Sequence, residues 1–109
     1  SAFLLQFTGT KMSLKPSTVL NQNRELIRQV VLSHRTNNPR VFGSVMRGTD
    51  TETSDLDLLV DPLPGVTLFD LGAIQIELET TLGISVDVLT PKDLPQRFRD
   101  KVLEEAVPV

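Results

Sequence analysis

Two aspartates stand one residue apart inside an apolar run, Ser54-Asp55-Leu56-Asp57-Leu58-Leu59-Val60. In a strand, side chains alternate between faces, so Asp55 and Asp57 share one face and Leu56, Leu58 and Val60 share the other. Two residues of rise separate the carboxylates by about 6.5–7 Å along the strand. Carboxylates so spaced can share one divalent ion or flank two ions about 3.5–4 Å apart. Without a cation or solvent between them, burying such a pair is costly. This pair is the sharpest chemical clue in the chain.

The residues upstream supply a companion to the pair. Arg40-Val41-Phe42 reads as a short strand that runs into Gly43-Ser44. Glycine there lets a ligand approach the backbone, and Ser44 offers a hydroxyl and an amide as donors. Val45-Met46-Arg47 is expected to form a helical turn whose first amides face an anion. Gly48 to Ser54 is polar and turn-rich, and Asp61-Pro62-Leu63-Pro64-Gly65 reads as a turn after the aspartate strand. A third acid follows in Ile84-Ser85-Val86-Asp87-Val88-Leu89, where Asp87 shares a face with Ser85 and opposes Ile84, Val86 and Val88. A single aspartate in such a strand reads as an edge or cap residue. With Asp55 and Asp57 already present, Asp87 reads as their third member.

Helices account for the rest. Pro16-Ser17-Thr18 opens a first helix expected over Ser17–Arg35, with Leu20, Ile27, Val30, Val31 and His34 at helical spacing. Thr36-Asn37-Asn38-Pro39 is expected to end it in a turn. His34, the only histidine, reads as a helix-end residue complementing the macrodipole. Thr67 or Asp70 can cap a second helix with the stripe Leu68, Leu71, Ile74, Leu78 and Leu82, closed by Gly83. A last helix is expected over Leu94–Ala106, with Leu94, Phe98, Val102 and Ala106 on one face. That face and the first helix read as core, or as docking faces for a partner. Helices interleaved with strands imply an α/β (α+β) fold, a small mixed sheet flanked by helices.

Composition narrows the function classes. A chain of 109 residues is one domain. Residues 1–15 are expected to be a leader or tag-like segment before a domain over 16–109, with Met12 a possible native start. The absence of cysteine excludes disulfides and thiolate metal sites and fits a reducing cytoplasm. No apolar run reaches the roughly 18–20 residues of a membrane span. The net charge of −3 divides unevenly, +6 through Arg47 and −9 beyond it. The basic first part could face phosphate or an acidic partner, or be a solvated helix face. An acidic total and few aromatics disfavour direct nucleic-acid binding.

Gly43-Ser44, ten residues, then Asp55-x-Asp57, with Asp87 on a later strand, strongly resembles the nucleotidyltransferase superfamily of DNA polymerase β type. Within it the chain is similar to the minimal nucleotidyltransferase (MNT) branch, over essentially Ser17 to Val109. The resemblance implies the polymerase β-like fold, with Gly43 and Ser44 on the β- and γ-phosphates of ATP. Asp55 and Asp57 would bind two Mg²⁺ ions. Asp87 would complete one metal site and help deprotonate the attacking hydroxyl. Arg47 would contact phosphate or remain a surface arginine. Two cations can clamp the attacking and leaving oxygens of an α-phosphate displacement.

Larger members of the superfamily carry further domains that grip base and acceptor, and at most about 20 residues here lie outside the catalytic core, so the acceptor must supply its own recognition. The resemblance implies an antitoxin of a HEPN/MNT pair, in hetero-oligomer with its toxin, that transfers AMP from ATP to a tyrosine of a HEPN ribonuclease. The alternatives are an antitoxin that neutralises by binding alone and, more weakly, a small-molecule transferase of the aminoglycoside-modifying sort.

Overall fold

A computed structural model describes residues 14–109. The reading of a leader and of Met12 as a start lies, for residues 1–13, outside the described residues. The elements are α1 (Pro16–Gln22), α2 (Arg24–Leu32), β1 (Thr36–Phe42), α3 (Gly43–Arg47), β2 (Leu56–Pro62), α4 (Leu68–Leu82), β3 (Val86–Leu89), α5 (Gln96–Glu105) and β4 (Val107–Pro108), with a 3-10 turn at Pro91–Asp93. They form one mixed sheet in the order β3-β2-β1-β4. β1 runs antiparallel to β2 and β4, while β2 and β3 are parallel and joined by the α4 crossover.

β2 is the centre of the molecule. Leu56, Leu58 and Val60 are fully buried against Ile27, Val31, Ile74 and Leu78 of α2 and α4. Burying each such side chain contributes about 1.5–3 kcal/mol, so this face fixes the register of the strand. A slip of one residue would drive Asp57 into the core. Leu59, on the opposite face with Asp57, is also fully buried.

Local chemistry sets the ends of the elements. Pro16 opens α1 at its first position, where the missing amide costs nothing. Thr67 caps α4 in a reciprocal box with Asp70, and Gly83 ends it in the left-handed region at φ 73°. Among the described residues no helix is long and apolar enough to cross a membrane.

Four expectations need correction. The helix expected over Ser17–Arg35 is two helices broken at Asn23, which leaves helical geometry at φ −134° while its side-chain Nδ2 donates to the Val19 carbonyl at 2.8 Å. Thr36-Asn37-Asn38-Pro39 is the start of β1, not a turn. The ladder is irregular between Asn37 and Arg40, Asn38 takes φ 52°, and the Pro39 carbonyl accepts the Val109 amide at 3.0 Å. Asp61 and Pro62 likewise end β2, where Asp61 pairs with Arg40 and Asn38. The last helix is shorter than expected, none of its residues is buried, and Phe98 is 47% exposed, so α5 is not a core helix. Two smaller differences concern single residues. Leu68 is exposed rather than part of the α4 stripe. His34 lies beyond the end of α2 and meets Glu77 of α4 at 2.9 Å.

Candidate active site

The sheet brings the separated acids together by register. Asp57 of β2 stands directly beside Asp87 of β3, and Phe42 of β1 stands on its other side. Asp55 precedes β2 by one residue and is exposed, Asp57 is half-buried, and Asp87 is exposed. The alternation therefore does what the sequence implied: Val86 and Val88 face the core while Asp87 faces away with Asp57.

Gly43 begins α3 immediately after Phe42 and takes φ 73°. A Cβ at this position would overlap the Oδ2 of Asp57. The backbone of the Gly43-Ser44 corner thus lies against the carboxylate, an approach only glycine permits. Arg47, at the far end of α3, is exposed but close enough for its charge to act on Asp57. All six candidate residues lie on or beside the α3–β2–β3 corner.

Asp57 holds its proton up to about pH 6, against an ordinary value of 3.8. Burial is the main cause. The charges of Asp87 and Asp55 push the same way, as does a hydrogen bond to Asp87, and Arg47 partly opposes them. Among the described residues the acids do not form a ready-made cage of three metal ligands. The donor set nevertheless suits a hard divalent cation: carboxylate oxygens only, crowded enough that their mutual repulsion favours a positive charge between them. Because folding raises the affinity of Asp57 for its proton, the contribution of this one group to the stability of the metal-free protein is fully present below about pH 4 and is lost as pH rises through about 6. In chelator, the difference in denaturation midpoint between wild type and Asp57→Asn should change between about pH 4 and 6, in the direction that disfavours the wild type as pH rises, and then level off.

One anchoring residue carried no signal in the sequence. Asp50, buried at the start of the loop to Asp55, accepts the Ser17 amide at 2.8 Å and ties α1 to the loop. A separation of 33 residues between the two left nothing to read locally.

Residues 24–109 match the family model of the nucleotidyltransferase domain. The chain belongs to this family. As a nucleotidyltransferase it is 39% identical over 90 residues to a protein of Methanocaldococcus jannaschii provisionally named a protein adenylyltransferase, a match covering 83% of this chain and 97% of the relative. It is 40% identical over 67 residues to the protein adenylyltransferase MntA of Thermococcus cleftensis, covering 62% of this chain and 68% of MntA. Among solved structures, one provisionally described as a minimal nucleotidyltransferase superposes with a TM-score of 0.77 at 41% identity, covering 85% of this chain and 95% of the other. A toxin–antitoxin crystal structure with AMP-PNP shares the fold at a TM-score of 0.67 and 18% identity, covering 79% and 71%. The mixed sheet flanked by helices is thus the nucleotidyltransferase fold, and the protein is an enzyme of that class.

Proposed function

We propose that this nucleotidyltransferase is the antitoxin of a two-protein system and moves AMP from ATP to a tyrosine of a cognate cytoplasmic HEPN ribonuclease, neutralising it. The observation that carries the proposal is Asp57, packed against Gly43 and in register with Asp87, with Asp55 two residues before it. It is supported by two relatives named as protein adenylyltransferases and by the shared fold of an antitoxin complex that holds AMP-PNP.

In this reading Asp55, Asp57 and Asp87 hold two Mg²⁺ ions. When bound, these supply charge neutralisation at the α-phosphate and at the attacking and leaving oxygens. The chain's own residues do the rest. Gly43 and Ser44 present backbone and hydroxyl donors to the β- and γ-phosphates, with Arg47 adding positive charge. Asp87 accepts the proton of the acceptor hydroxyl. The acceptor oxygen bonds to the α-phosphorus, the bond from that phosphorus to the bridging oxygen breaks, and pyrophosphate leaves with the electron pair.

The test combines the purified protein, ATP, Mg²⁺ and the HEPN protein encoded beside it. Intact-mass spectrometry should show the partner heavier by one AMP unit or more, and peptide mapping should place the addition on a tyrosine. A partner that is neutralised yet unmodified would leave binding alone as the mode of action.

A further inference from the structure

A cleft of about 390 Å³ opens between α3 and α5. One wall carries Gly43 and Arg47, the other carries Lys101 and Glu105, and apolar residues including Leu94 and Phe98 line the rest. The cleft shares one residue with the carboxylate site: Gly43, which lines it and packs against Asp57. Arg47, Lys101 and Glu105 are its only charged residues among those described. Among the described residues neither Arg47 nor Lys101 has an ion-pair partner, and Lys101 does not pair with Glu105 one turn along its own helix. Two cations, Arg47 and Lys101, therefore line one cleft with a single carboxylate, Glu105, a net positive charge beside apolar surface that strengthens its field.

We infer that Lys101 is a further substrate-binding residue of this enzyme, which meets the β- and γ-phosphates of the donor from α5 while Arg47 meets them from α3. The inference rests on the assignment of Gly43 and Ser44 to those phosphates. A polyphosphate whose α-phosphate lies at Asp57 and whose tail passes Gly43 enters this cleft. The flexible stem of Lys101 lets its ammonium follow the anion. When the bond to the α-phosphorus breaks, the departing pyrophosphate gains charge on the oxygen that carried the bond, and Lys101 helps neutralise it. The lysine also gives α5 a role: an amphipathic helix left outside the core becomes the second jaw of the phosphate site.

Binding measured by calorimetry on the full chain with Mg²⁺, without any partner, tests this. Lys101→Ala should bind ATP and inorganic tripolyphosphate about tenfold more weakly. It should bind AMP, which has no β- or γ-phosphate, as the wild type does. Lys101→Arg should restore most of the loss, and Lys92→Ala, which removes an exposed cation outside the cleft, should leave all three ligands unaffected. Unchanged ATP affinity in Lys101→Ala, or an equal loss for AMP, overturns the role of Lys101 and leaves the Gly43-Ser44 assignment standing. A wild type that binds ATP no more tightly than AMP overturns both.

Discussion

Asp57→Asn is expected to lower AMP transfer by at least about 10³-fold while making the metal-free protein more stable near neutral pH. The two effects have one origin. Asp57 is the most enclosed of the three acids and bears the repulsion of the other two. Its charge is what a divalent cation needs, and the same charge strains the empty fold. A carboxyl held near pH 6 instead of 3.8 corresponds to about 3 kcal/mol. The group is only half-buried, so solvent screening reduces this to about 1 kcal/mol. For a domain of this size that is a rise in melting temperature of about 4–8 °C at pH 7, and it should vanish below pH 4, where the wild-type carboxyl is protonated. Asp55→Asn should remove activity equally with little change in melting, because Asp55 is exposed. Transfer assays and thermal melts on the same preparations provide the check. Full activity in both variants would refute the carboxylate–metal reading.

Gly43→Ala should cost both stability and turnover, for separate reasons. At φ 73° an alanine pays about 1–2 kcal/mol of backbone strain. Its methyl would also occupy the space of the Asp57 Oδ2, and the backbone on one side and β2 on the other leave the carboxylate as the part that moves. Displacing a reactive group by about 1 Å is worth roughly 10²-fold in rate. Gly48→Ala separates the two effects. Gly48 has the same φ of 73° but nothing within 4 Å of the added carbon, so it should lose comparable stability and keep most of its activity. Equal activity losses in the two variants would mean that the close approach of Gly43 to Asp57 is unimportant.

What the sequence made legible was what depends on period and on neighbours. The alternation through Leu56–Val60 and Val86–Val88 put Asp57 and Asp87 on one face because that property is set by the strand itself, whereas Asp55, expected in the strand, lies one residue before it. Thr67, Asp70 and Gly83 marked the ends of α4 for the same local reason. The break at Asn23 was hidden because Leu20, Ile27, Val30 and Val31 keep helical spacing across it, and all four are buried as that spacing requires. Thr36–Pro39 looked like a turn because asparagine and proline favour turns. Pairing with β2 overrides this preference, and the ladder absorbs Pro39 with an irregularity. α5 shows the limit of periodicity: it reveals a face, but not whether anything covers that face. β4 is two residues long and carries no pattern.

The register of Asp57 with Asp87 also bears on how the molecule folds. The strand pair β1–β2 with α3 between them is nearly local in sequence, so the Gly43–Asp57 contact closes a short loop. Asp87 arrives 30 residues later, through a parallel crossover that cannot pair until α4 has docked. Sequence separation alone therefore predicts that the third acid joins the sheet after the β1–β2 pair. A nucleotide held by all three acids is then expected to slow unfolding more than it speeds refolding, which stopped-flow measurements with and without MgATP would check.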